Sequence, residues 1–276
     1  MDDKVIAKWA PESLWELAAP LIPPAPVRRQ GGGRRRVDDR RVLAAILYLT
    51  QAGCSWWKLP EEMFGVTRAT AHRRFAEWTR AGLWERLHQA VLDRLGAAGG
   101  IDWSRAVVDS ITVRAEKKGD LTGPNPVDRG KPGSKIHVLS ERTGLPLTAL
   151  VSAANTHDSH LLVPLLDSLA PIRSPRGRRR NRPAKLHGDK AYNNQYIHAD
   201  LRQRRITARL ARPGIESSTR LGRHRWVIER SLSWLMRYRR LVRRYERYAE
   251  HFQAFITIAC ALICHRRLTK PTKITK

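Results

Sequence analysis

The hydrophobic period of this chain changes at Gly99-Gly100, and that change limits the folds open to it. Before it, apolar residues keep a helical period, with Val42, Ala45, Ile46 and Leu49 on one face. A short first helix covers about Glu12 to Ala19. Gly53 breaks the second helical run, Trp56 to Met63 is a short segment, and Phe64-Gly65-Val66 is a turn. Thr67 then caps a helix to Ala81, with Thr70 early in it. Another helix spans Leu83 to Leu95 and ends at Gly96. After Gly100 the pattern becomes that of strands. Ala106 to Val113 is a β-branched run, Ser134 to Ser140 alternates, Glu141 to Gly144 is a turn, and Leu145 to Ala153 is a third strand. A helix (Leu161 to Leu169), a strand (Ala184 to His187), a helix (Tyr196 to Arg204), a strand (Ile206 to Ala211) and a long basic helix (Arg223 to Tyr248) follow. The order βββαβαβα predicts a mixed sheet covered by helices, an α/β architecture. The expected division is an N-terminal all-helical domain over residues 1–98 and a sheet domain over 99–276.

These elements carry 52 Lys and Arg against 25 Asp and Glu, a formal charge of +27 in 276 residues. With 42% hydrophobic residues the chain has enough apolar material for a core, so it is no disordered basic tail. Such a charge calls for an acidic partner, nucleic acid above all. No apolar run approaches the ~20 residues that span a bilayer; the longest, Ala254 to Ile263, is far shorter. The N-terminal stretch has no signal-peptide core, and Cys54, Cys260 and Cys264 make no disulfide framework. A cytosolic protein that handles nucleic acid is expected, rather than a membrane protein or a secreted disulfide scaffold.

The arginines are grouped. Arg28, Arg29, Arg34, Arg35, Arg36, Arg40 and Arg41 lie in or beside a Pro- and Gly-rich arm. Arg173 to Arg182 is an arginine-rich loop, and Arg237 to Arg247 interleaves arginine with Tyr238 and Tyr245. The Thr67 helix sets Arg68, His72, Arg73 and Arg74 beside apolar Phe75 and Trp78. Short helices around a Gly turn, the second basic at its start, form a helix-turn-helix-like pattern; a plain helical bundle fits the same period.

Three carboxylates stand where carboxylates are awkward. Asp109 lies inside a Val and Ile strand, Asp189 ends a strand just after Gly188, and Glu229 sits on a helix among Trp226, Val227, Ile228, Leu232 and Trp234. A buried carboxylate is costly unless it is paired or binds a metal. Three separate ion pairs account for this spacing simply, since arginine is plentiful. The other reading is convergence: two strand-borne acids and one helix-borne acid supply hard oxygen ligands of the kind Mg²⁺ takes. Two such ions would promote attack and departure at a phosphodiester.

At this point the motifs resemble a known family. VVDS (107–110), SKIHVL (134–139), ANTHDS (154–159), LHGDKAY (186–192) and LGRHRWVIERSLSWL (221–235) look like the DDE transposases of bacterial insertion sequences, of the type of insertion sequence five. The N-terminal GGGRRR, GCSWWKLPEEMFG and ATAHRRFAEW look like that family's DNA-binding segment. The resemblance runs from about Trp15 to Leu268, and the order and spacing of the motifs carry it. It implies an RNase H-like catalytic domain behind a helix-turn-helix-like domain. It implies that Asp109, Asp189 and Glu229 are the catalytic and metal-binding DDE triad, loaded with Mg²⁺ or Mn²⁺. It further implies a transposase that binds terminal inverted repeats of double-stranded DNA, cuts them and transfers the 3′-OH ends into target DNA. A homodimer or larger assembly on DNA, in the bacterial cytoplasm with the nucleoid, goes with that activity. The alternatives are a transposase-derived DNA-binding regulator without catalysis, or a DDE-type nuclease.

Related families carry Tyr-x2-Arg-x3-Glu-x6-Lys around the last acid. Here Arg225 and Glu229 match, Gly222 replaces the Tyr, and Met236 replaces the Lys with Arg237 one residue on. Arg225 is read either as a phosphate contact or as an i,i+4 partner of Glu229. Expected DNA contacts are Arg34, Arg35, Arg36, Arg68, His72, Arg73, Arg74, Lys190, Arg225 and Arg237. His157 and Asp158 are read either as near-site residues or, for Asp158, as the cap of its helix, the reading preferred; Trp226 and Trp234 are expected to anchor the Glu229 helix on the sheet. Cys260, Cys264 and His265 sit in an apolar helical run and read as core rather than as zinc ligands.

Overall fold

A computed structural model describes residues 3–25, 36–211 and 218–269, with the backbone alone for 218–225 and 228. Among the described residues six α-helices precede the sheet: α1 (Asp3–Trp9), α2 (Glu12–Ala18), α3 (Asp39–Ala52), α4 (Glu61–Phe64), α5 (Arg68–Arg80) and α6 (Leu83–Ala97). Local signals set their ends. Asp38 accepts hydrogen bonds from the Arg40 and Arg41 amides at the start of α3, and Gly53 closes that helix in the left-handed conformation. Thr67 accepts from the Thr70 amide at the start of α5. The expected stop at Gly96 is a correction: α6 continues to Ala97. Gly96 serves packing instead, because a Cβ there would stand 2.0 Å from the Arg173 carbonyl oxygen.

The sheet is built on β1 (Ala106–Ala115), β2 (Pro132–Glu141), β3 (Pro146–Ala153), β4 (Lys185–Gly188) and β5 (Thr207–Leu210). Its order is β3-β2-β1-β4-β5. β2 runs antiparallel to β1 and β3, while β4 and β5 run parallel to β1. This order and these directions are those of the RNase H-like sheet. The expected α/β fold with a helical N-terminal region is therefore present.

Helices α7 (Ser159–Ser168) and α8 (Gln195–Gln203) follow β3 and β4; α9 (Ser218–Met236), α10 (Arg239–Val242) and α11 (Ala249–Thr269) follow β5. Side chains alternate along a strand, so the pairing of Ser110 with His137 and of Asp109 with Val138 sorts them onto opposite faces. The Ser110 face meets α7. The Asp109 face meets α9, through Val107 and Val227, and α11, through the bond from Gln253 to the Ala149 carbonyl. Helix α11 also packs on α6, α3 and α5. Phe75 of α5 stacks on Phe255 of α11 with ring centroids 4.5 Å apart. One apolar cluster thus runs from Ile6 to Cys264, through both helices and sheet.

The expected helix Arg223 to Tyr248 is broken. α9 ends at Met236, and Tyr238 is extended and buried. Arg243 and Arg244 then pair with the end of β1. Arg244 is fully buried and donates to the Ser134 hydroxyl (2.6 Å) and the Leu121 carbonyl (3.2 Å). Arg240 is buried against Glu246 at 2.5 Å. Two arginines of this run are therefore core residues, although their spacing reads as a surface helix.

Candidate active site

Strand β4 lies beside β1 with Ala106 level with Leu186 and Val107 level with His187. Continued two residues past the last paired positions, the same register sets Asp109, inside β1, level with Asp189, the residue that follows β4, on one face of the sheet. Asp109 is half-buried and accepts the Ser110 amide at 2.7 Å; Asp189 is exposed and accepts the Ala191 amide at 2.9 Å. Each carboxylate therefore has one oxygen steered by a neighbouring backbone N–H. Tyr192 is fully buried next to them. Burial, with the Asp158, Asp109 and Asp189 charges, pushes its phenol well above the usual value.

Glu229 stands differently. Val227 packs on Val107, so it marks the side of α9 that faces the sheet. Arg230 donates to the Thr143 carbonyl and Ser231 to the Gly144 carbonyl at 2.8 Å, which fixes that side. Glu229 lies two residues from Val227, about 200° around the helix, and is exposed. Among the described residues no three His, Cys, Asp or Glu side chains form a group able to hold one metal ion. The fold thus brings Asp109 and Asp189 together and leaves Glu229 on the neighbouring helix, turned outward. Trp226, expected as an anchor, is 52% exposed and carries the Arg230 guanidinium 4.5 Å from its ring centroid. Among the described side chains of that helix, Val227, Ser231 and Leu235 are the buried ones instead. Trp234 is partly buried against the core, as expected.

The Asp109–Asp189 pair fits a divalent cation of the Mg²⁺ kind. That ion takes hard oxygen donors, needs only one or two protein carboxylates and keeps several waters.

Asp158 does not cap α7, which corrects the expectation from its position: its side chain makes no cap bond. It accepts from the Ser110 hydroxyl and the Lys135 ammonium, both at 2.9 Å. His157 caps instead, with its Nδ1 accepting the Ser159 amide at 3.4 Å and lying 2.8 Å from the Ser159 hydroxyl. His137, also on this face, is held mainly neutral, because burial pulls its pKa down to about 4.

The expected DNA contacts divide by exposure. Arg68, Arg73, Lys190 and Arg237 are exposed. Arg68 stacks 4.0 Å from the centroid of Trp57, a 75% exposed ring that the sequence reading passed over. His72 is exposed too, sits edge-on to Trp56, and has its pKa lowered by partial burial and by Arg240. Arg74 is buried and pairs with Asp39 at 2.6 Å, so its charge is used inside the fold. Arg36 lies 3.5 Å from Asp39 and 3.7 Å from Glu77. Arg34, Arg35 and the Arg225 side chain lie outside the described residues. Cys260 and Cys264 are buried on α11, and His265 is 3.0 Å from the Ser13 hydroxyl. No helix among the described residues is long and apolar enough to cross a membrane.

Comparison with known proteins bears on both halves of the chain. Residues 11–88 match a family described as "Putative transposase of IS4/5 family", and residues 104–264 match "Transposase DDE domain". A Burkholderia cepacia protein described as "Putative transposase for insertion sequence element IS402" is 41% identical over 149 residues, 54% of this chain and 71% of that protein. A second, an IS402 uncharacterized 16.2 kDa protein from the same organism, is 42% identical over 116 residues, 42% of this chain and 79% of that protein. Among solved structures, a piggyBac transposase synaptic complex with hairpin DNA aligns with a TM-score of 0.40 at 8% identity, over 77% of this chain and 51% of that one. A Mos1 transposase paired-end complex aligns with a TM-score of 0.27 at 11% identity, over 87% and 82%. The two family matches and the 41% identity to the IS402 protein agree with the motifs: this chain belongs to the DDE transposases of IS4/5-type insertion elements.

Proposed function

We propose that this chain binds the terminal inverted repeats of its own element, cuts DNA there in a metal-dependent step, and joins the 3′-OH ends to target DNA. The observation that carries the reading is the level pair Asp109, inside β1, and Asp189, just past the parallel strand β4, in a chain of charge +27. Asp109 and Asp189 would hold Mg²⁺ or Mn²⁺, with Glu229 as the third acid of the triad. Metal bound there supplies Lewis acidity for attack and departure of oxygen at the phosphodiester.

The chain's own residues do the rest. Backbone N–H groups of Ser110 and Ala191 orient the two carboxylates. Lys190, next to Asp189, neutralises phosphate beside the scissile bond. Arg68, Arg73 and Arg237 grip the backbone of the duplex, and the arm with Arg34 and Arg35 extends that grip. Two ends must meet for joining, so the active form is a dimer or larger on DNA.

One observation favours a second reading. The outward Glu229 fits a chain that binds element ends without cutting them, a regulator rather than an enzyme. Both readings meet in one experiment. The purified chain is mixed with DNA carrying its element's ends, in Mg²⁺, Mn²⁺ or EDTA. Cleavage at the element boundary in either metal, absent in EDTA, supports the transposase. Specific end binding without cleavage in any metal supports the regulator and ends the catalytic reading.

A further inference from the structure

We propose that Asp158 is a positioning residue for the Asp109–Asp189 pair, acting from the opposite face of the sheet. The inference rests on the cleavage reading above and names a residue outside the expected triad. Asp158 gives up its helix-cap bond, and its carboxylate reaches β1 and β2 instead. On β1 it accepts the Ser110 hydroxyl at 2.9 Å. The same Ser110 donates its amide to Asp109 at 2.7 Å. Ser110 thus couples the two carboxylates through one residue: its side chain is held behind the sheet by Asp158, and its N–H is bonded to Asp109.

On β2 the partner is Lys135, whose ammonium bridges Asp158 at 2.9 Å and the Thr156 carbonyl at 2.8 Å. That cation balances Asp158, so a third negative charge can stand close to the pair. The turn that follows Asp189 docks on the same cluster. Tyr192, fully buried, lies beside Ser110. Its hydroxyl makes no well-formed hydrogen bond. A phenylalanine would fill that place without leaving a buried polar group, so packing alone gives no reason for the hydroxyl. Asp158 therefore ties together three segments: the start of α7, β1 with Asp109, and β2. Groups that orient metal-binding carboxylates act on affinity for the ion through those carboxylates.

The test compares full-length wild type with Asp158→Asn, Tyr192→Phe and Asp189→Asn. Three quantities are read: Mn²⁺ binding by titration calorimetry, the Mg²⁺ concentration for half-maximal end cleavage, and the melting temperature. Asp158→Asn is expected to weaken Mn²⁺ binding and raise the Mg²⁺ requirement, each by about tenfold, while end binding is unchanged. Tyr192→Phe shifts both quantities in the same direction without lowering the melting temperature. It decides the matter if Asp158→Asn does not fold. Metal affinity and Mg²⁺ requirement within twofold of wild type in the folded variant overturn the proposal. Asp189→Asn separates the two ideas: if it cuts as wild type does, the cleavage reading fails and this inference falls with it.

Discussion

Val227 of α9 packs on Val107 of β1, two residues before Asp109 on the same face of the strand. That contact fixes which side of α9 looks at the sheet and turns Glu229 outward. Val227→Ala therefore loosens α9 and lowers unfolding free energy by about 1–3 kcal/mol. Glu229→Gln, at an exposed position, changes stability by about 0.5 kcal/mol or less and abolishes cleavage while end binding survives. Denaturant unfolding and cleavage assays on both variants separate the two roles. Cleavage that survives Glu229→Gln removes Glu229 from the site.

Arg68 and Arg74 sit on one helix and behave differently. Arg74→Ala breaks the buried pair with Asp39 and costs about 2–4 kcal/mol of stability. Arg68→Ala leaves stability nearly unchanged, weakens end binding, and reduces the slope of log affinity against log salt by about 1. Binding measured from low to moderate salt, beside urea melts, checks both.

Acid destabilises the fold partly through His88. It is buried, lies 3.1 Å from the Pro146 carbonyl, and burial pulls its pKa down to about 4. The unfolded chain protonates this group below about 6.5. Above that value His88 is neutral in both states, and its contribution is fully present. As pH falls from 6.5 toward 4 the unfolded state gains protons first, so stability is lost, by about 3 kcal/mol at most. Glu141, raised by burial, works in the opposite sense, so the comparison must be between variants. Between pH 7 and pH 4.5, His88→Gln is expected to lose about 2 kcal/mol less than wild type. An equal loss in both contradicts the assignment.

Two glycines with left-handed backbones differ in what surrounds them. At Gly53 an added Cβ meets the Arg239 Cβ at 2.5 Å and its carbonyl carbon at 2.8 Å, whereas at Gly177 nothing lies within 4 Å. Gly177→Ala costs only the backbone strain, about 1–2 kcal/mol. Gly53→Ala adds overpacking between α3 and α10 and costs about 2–4 kcal/mol. Thermal melts of the two variants rank them.

Much of the frame was legible in the residues. The β-branched run of β1, the alternation of β2 and the Thr67 cap are local signals, and local geometry obeys them. What escaped depends on distant partners. Tyr238 and Arg244 sit in a run of good helix formers, yet contacts to the core and to Ser134 draw them inward and break the helix. Counting charge treats every arginine as surface, so the burial of Arg74, Arg240 and Arg244 was invisible. An Asp before a helix reads as a cap, and only the three-dimensional nearness of Ser110 and Lys135 shows that Asp158 faces elsewhere. The resemblance implied Asp109 and Asp189 as site acids, and the register of β1 and β4 sets them level. The rotation of α9 that turns Glu229 outward is set by Val107, Thr143 and Gly144, far away in sequence.

The most direct test of the account is cleavage of the element's DNA ends by wild type and Asp189→Asn at equal end occupancy in Mg²⁺. The account predicts cuts at the element boundary by wild type and none by the variant, with end binding the same for both. Cutting by Asp189→Asn at the wild-type rate would contradict it.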